Sequence, residues 1–213
     1  LDRGAILNNF YITNLHRGSG GPWFFARRLV EALKKSGLNH EAESNNRITL
    51  IKGTPKPKAN NILRLDGLYF YKCRENKDIF KAYEAFDHIV FQGKFCKDQY
   101  EAFTGTVRPH TTIRNGVDDA FFNPSTEIIK ADNPVVVASA HWRRHKRLDE
   151  IVEAFSSPKL KNVELWVLNG KGFKKPVTEN VKLLNNYPLP KLPGVLQSCT
   201  AMIHLAWLDW CPN

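Results

Sequence analysis

The sequence holds 213 residues with a formal net charge of +10, 42% of them hydrophobic and 24% charged. That balance suits a globular protein of one or two domains, and 13 Gly with 12 Pro exclude a collagen-like or low-complexity chain. No apolar run is long enough to span a bilayer, and the opening Leu1-Asp2-Arg3 is neither an initiator Met nor a signal peptide, which suggests a trimmed end. The positive charge fits nucleic acid, an anionic membrane or phosphorylated substrates, and by itself chooses none of them. Cys73, Cys96, Cys199 and Cys211 show no CxxC spacing and no His at metal-ligand intervals. No metal site is therefore expected, and a reduced, cytoplasmic compartment is the default.

Strand and helix signals alternate along the chain. Ala5 to Thr13 reads as a first strand interrupted by Asn8 and Asn9. His16-Arg17-Gly18-Ser19-Gly20-Gly21 follows, then a helix from Pro22 to about Lys35, striped by Phe25, Leu29 and Leu33 and ended by Gly37. A glycine loop between strand and helix lets backbone N–H groups approach an anion without a Cβ in the way. It is neither GxGxxG nor a Walker A loop, and a flexible turn is the alternative.

Residues 47 to 51 and Asn61 to Leu65 read as strands, joined by a Lys/Pro-rich connection. Asp66, before Gly67, stands where open α/β sheets put ligand-facing groups, although Asp-Gly is also a common turn. A helix over Lys77 to Phe86, a strand over 88 to 91 with His88 structural, and a helix over Lys94 to Phe103 come next. Asn115-Gly116 then makes a turn.

After a polar linker at 125 to 134, Val135 to Ser139 reads as a buried β-branched strand. The following loop carries His141, Arg143, Arg144, His145, Lys146 and Arg147, and a helix over 147 to 155 follows, with Leu148, Ile151, Val152 and Phe155 at helical spacing. Strand, basic loop and helix open a βαβ unit, so these cations point to an anionic ligand such as a phosphate or diphosphate. A solvated basic turn is the alternative. Strands at 163 to 168, near 181 to 184 and at 201 to 205, a Gly170-Lys171-Gly172 turn and a helix from Leu192 to Ser198 complete the second unit. Two α/β units imply two Rossmann-like domains, 1–124 and 125–213, facing across a cleft.

Several linked segments resemble the glycosyltransferase family 4 enzymes of the GT-B fold. The Gly18–Gly21 loop and its helix are similar to the family's N-terminal glycine loop, and Val90 to Phe95 (VFQGKF) to a segment late in its first domain. Ile113 to Pro124 (IRNGVDDAFFNP) is close to its interdomain signature. His145 to Phe155 and Val167 to Gly172 (VLNGKG) resemble elements of its donor-binding domain.

The resemblance implies retaining transfer of a sugar from a nucleotide-diphosphate sugar to a hydroxyl of a saccharide, glycolipid or other acceptor, without a metal or other cofactor. Lys146 falls on the family's diphosphate-binding Lys. The partner Arg, five residues earlier, is replaced by His141, with Arg143 and Arg144 nearby; Gly20, Gly21 and Gly170 complete the implied donor-binding set. Asp209 matches the first carboxylate of the Glu-x7-Glu motif, and the second belongs eight residues further on, past Asn213. The second domain is therefore expected to be incomplete, with an apolar sheet edge left uncovered.

Asp66 and Asp209 are the expected catalytic carboxylates, Asp66 on the acceptor side. The basic surface implies peripheral contact with an anionic membrane. An inactive GT-B-like module that binds nucleotide-sugar or serves as a scaffold is the alternative. Nucleic acid is disfavoured, because no RNP-like aromatic pattern, zinc finger or helix-turn-helix is recognisable.

Overall fold

A computed structural model of the chain describes residues 8–15, 21–69, 74, 76–116, 128–185 and 187–207. The chain divides into two compact units after Asn115. Both are α/β with wholly parallel sheets, as the alternating pattern requires. The boundary expected at 124 and 125 lies outside the described residues.

The first unit contains β1 (Asn9–Ile12), α1 (Gly21–Lys35), β2 (Asn39–His40), β3 (Asn46–Leu50), β4 (Asn60–Leu65), α2 (Asn76–Ala85), β5 (His88–Phe91), α3 (Lys94–Thr104) and β6 (His110–Thr112). Its six strands run in the order β2-β1-β3-β4-β5-β6. The chain steps one way from β1 to β2 and the other way afterwards, so the order reverses between β1 and β3. Right-handed crossovers then place α1 on the opposite face of the sheet from α2 and α3.

Two cores follow from that arrangement. Leu63, Leu65, Ile89 and Phe91 pack with Ile79, Tyr83, Phe86 and Tyr100 on the α2–α3 face. Phe10, Ile12, Leu50 and Ala26 pack with Phe25, Leu29 and Leu33 under α1. Strand period two decides what lies between: Leu63 and Leu65 enter the first core, and Arg64 turns to the α1 face, where its guanidinium lies 3.6 Å from the Phe25 ring centre. The first described strand begins only at Asn9, and the expected residues Ala5 to Leu7 lie outside the described set. Helix α1 ends as the sequence predicts, with Gly37 at φ 86 and Leu38 N–H bonded to the Leu33 carbonyl (3.0 Å).

The second unit contains β7 (Val135–Ser139), α4 (Leu148–Phe155), β8 (Glu164–Leu168), β9 (Val181–Leu184), α5 (Leu192–Ser198) and β10 (Ala201–Met202). The strand order is β10-β7-β8-β9. Helix α4 covers one face through Ile151, Val152 and Phe155. Helix α5 covers the other through Val195, packed on Val135, Val137, Trp166 and Leu168. Strand β8 is buried along its whole length, which fits its near-continuous apolar sequence.

Two boundaries differ from expectation. Helix α4 starts at Leu148 rather than Arg147, because Arg147 takes a left-handed conformation (φ 58, ψ 45) that closes the preceding 3-10 turn Arg144–Lys146. The last strand, expected to reach Leu205, pairs with β7 only at Ala201 and Met202, both exposed.

Candidate functional site

In the second unit the order of strands reverses between β7 and β10. In open α/β sheets the crevice beyond the carboxyl ends of such a strand pair is where ligands bind. The cationic turn occupies that place. His141, Arg143 and Arg144 are exposed, and Lys146 is half-buried. Hydrogen bonds to neighbouring segments and within the turn hold it in place. Trp142 Nε1 donates to the Leu168 carbonyl at the end of β8 (2.7 Å). Lys146 N–H donates to the Arg143 carbonyl (2.8 Å), and Trp207 N–H, from the segment after β10, donates to the His145 carbonyl (3.1 Å). The Arg147 guanidinium lies 6.0 Å from the Trp207 ring centre.

Not all of this charge faces outward. Arg147 Nε pairs with Glu150 (3.2 Å), and Asp149 pairs with Lys175 (2.7 Å). Both carboxylates sit in the first turn of α4, where they already offset the positive end of its dipole. Backbone hydrogen bonding at Glu150 and then Arg147 hold the Glu150 carboxyl below its usual range. The start of α4 is therefore offset by its own carboxylates, while Arg143 and Arg144 on the preceding turn stay exposed.

Gly170 follows β8, whose Leu168 is paired in register with Ser139 of β7. A Cβ at Gly170 would stand 3.2 Å from both Leu183 Cδ2 and Val167 Cγ1. Packing inside the unit thus favours glycine there, and backbone conformation favours it at Gly172 (φ 100).

In the first unit Gly21 opens α1 in open space, where an added Cβ would meet nothing within 4 Å. Helix α1 has no acidic residue in its first turn, so its dipole is uncompensated by its own side chains, unlike that of α4. Asp66 lies just past β4 and pairs with Arg64. Arg64 also donates to Asn115 Oδ1 (2.6 Å) and Gln92 Oε1 (3.5 Å). Burial raises the Asp66 carboxyl above its ordinary value, and Arg64 opposes the shift.

Sequence reasoning named Asp66 but missed Arg64, Gln92 and Asn115 as its companions, because they come from three separate strand ends. Strand periodicity holds the one available signal, a charged Arg64 between Leu63 and Leu65. Trp142 and Trp207 were likewise missed as supports of the cationic turn. His88, at the start of β5, has its Nε2 within 2.8 Å of Thr111 Oγ1. Gly20 and Asp209 lie outside the described residues. The remaining expected residues form two groups, Gly21 and Asp66 in the first unit and His141, Arg143, Arg144, Lys146 and Gly170 in the second.

Among the described residues no three His, Cys, Asp or Glu side chains are grouped to hold a metal ion. No helix among them is long and apolar enough to cross a membrane. No protein-family model matches the chain, and no curated protein matches it.

Proposed function

We propose that this protein is a GT-B-type retaining glycosyltransferase that takes its donor, a nucleotide-diphosphate sugar, at the cationic turn after β7. The observation that carries the reading is the position of Arg143, Arg144 and Lys146 at the strand-order reversal of a parallel sheet. A diphosphate leaving group gains negative charge as the glycosidic bond breaks. Cations fixed beside it stabilise that charge more in the transition state than in the ground state. Lys146 takes the central role, with Arg143 and Arg144 beside it, standing in for the metal ion that other transferases use. The donor's own phosphate oxygen supports the oxocarbenium-like transition state and accepts the proton of the incoming hydroxyl. Asp66 serves on the acceptor side, and Asp209 holds the donor.

Calorimetric titration with UDP and GDP tests this reading. Wild-type protein should bind at least one of them, and Lys146→Ala should weaken that binding about tenfold or more, the worth of a charge-assisted hydrogen bond. Equal binding by both proteins would refute the role of Lys146. A second reading, an inactive module that binds nucleotide-sugar, is favoured by the exposed His141 at the position where the resembling family has Arg. Nucleotide binding with no sugar transfer to any acceptor would select it.

A further inference from the structure

The turn that carries Asp66 is held from two sides. Three successive carbonyls, of Leu65, Asp66 and Gly67, each accept a hydrogen bond from one stretch of chain running out of β5. The donors are Cys96 Sγ (3.7 Å), the Gln92 side-chain amide and the Tyr100 hydroxyl (3.1 Å), respectively. Gly67 takes φ 148, which L side chains rarely adopt. The Asp66 side chain is fixed by Arg64, which is itself pinned by Gln92, Asn115 and the Phe25 ring.

The cluster has two layers. Arg64 and Gln92 are 4% and 5% exposed and form a floor. Asp66 and Asn115 are half-buried above them, and the Asp66 side chain keeps 26% of its surface open. Only Oδ1 of Asp66 takes the Arg64 bond, and no hydrogen bond reaches Oδ2 among the described residues. Here a carboxylate oxygen is held in a fixed position at the carboxyl edge of the sheet, where α/β folds receive ligands. The charges of Arg64 and Asp66 cancel, so the pair exerts little pull on an ion, while a fixed carboxylate oxygen is a strong acceptor for a neutral hydroxyl.

We propose that Asp66 is a ligand-binding carboxylate in a subsite for a neutral polyhydroxylated molecule, with Arg64 as its positioning residue and Asn115 at its rim. The assignment of that molecule as the saccharide acceptor rests on the glycosyl-transfer reading; the subsite itself does not.

The test uses the full chain and three probes, the methyl α-pyranosides of glucose, mannose and galactose, followed by saturation-transfer NMR beside calorimetry with UDP and GDP. At least one glycoside should bind wild type, and Asp66→Asn, which keeps the shape of the side chain, should weaken it about tenfold or more with nucleotide affinity unchanged. Arg64→Gln should move the acid limb of glycoside binding to higher pH, since Asp66 then loses the guanidinium that favours its ionised form; an acid limb that stays in place means that the bound glycoside does not sense Asp66 and overturns the subsite. Should Arg64→Gln not fold, Asp66→Asn decides the outcome alone. Failure of all three glycosides to bind, or unchanged binding by Asp66→Asn, overturns the subsite. If nucleotide binds while glycosides do not, the subsite falls and the donor reading stands. If glycoside binding depends on Asp66 in a protein with no nucleotide affinity, the subsite stands and the donor reading falls.

Discussion

Replacing Arg64 with Met keeps most of the aliphatic stem and removes the guanidinium. The loss includes the ion pair with Asp66, the bonds to Asn115 (2.6 Å) and Gln92 (3.5 Å) and the stack on Phe25. Breaking one partner out of a buried ion pair costs about 3–5 kcal/mol, most of it the charge left behind. Asp66 retains 26% side-chain exposure and can partly rehydrate, so the lower end applies, about 3 kcal/mol at neutral pH.

The cost should depend on pH in a defined direction. The Asp66 carboxyl is already raised by burial, and losing Arg64 raises it further. A carboxyl whose folded pKa exceeds its unfolded value contributes stability below the unfolded value, and that contribution is lost as pH rises through the folded one. The penalty of Arg64→Met should therefore be largest at pH 7 and shrink as pH falls and Asp66 becomes neutral. Urea unfolding at pH 7 and at pH 4 measures both quantities. Adding Asp66→Asn at pH 7 should recover part of the loss in a double-mutant cycle. A cost below about 1 kcal/mol, the worth of a single ordinary hydrogen bond, or one independent of pH would refute the claim that the guanidinium compensates a buried carboxylate.

Two other substitutions probe the frame that supports the sites. Glu164 accepts hydrogen bonds from Lys182 Nζ and Trp166 Nε1, both 2.7 Å, and Lys182 above all holds its carboxyl below the ordinary value. Its stabilisation is present above the unfolded value and lost as pH falls through the folded one. Glu164→Gln should thus cost about 1 kcal/mol at pH 7, because Lys182 is half-exposed, and less at pH 3, where the carboxylate's contribution is reduced. Chemical unfolding followed by Trp fluorescence at both pH values checks this. Gly37 holds φ 86 at the end of α1, so Gly37→Ala should cost about 1 kcal/mol for the left-handed backbone, measured by thermal or urea unfolding.

The sequence by itself determined the order and type of most elements. Val135–Ser139, Val181–Leu184 and Leu192–Ser198 occur where periodicity and breakers predict them, because a β-branched run or an amphipathic stripe is a local property of a few neighbouring residues. Gly37 was legible for the same reason: a helix that must stop before the next strand needs a left-handed residue, and only Gly takes it cheaply. Placement of the cationic turn after a strand was legible too, since a βαβ unit has one hand and one ligand end.

Pairing was not legible. Asn39–His40 is too short to show any period, and it becomes a strand only because β1 presents its edge beside it. Ala201–Leu205 reads as five strand residues, yet β7 pairs with just two of them. The role of Gly170 is set by Leu183, thirteen residues away, and the Arg64–Asp66–Gln92–Asn115 cluster joins residues up to 51 positions apart. Sequence spacing encodes what a residue does within its own element. Which strand ends lie side by side depends on the order of strands in the sheet, and that order is set by the joint burial of both faces, a property of the whole fold that no local stretch carries.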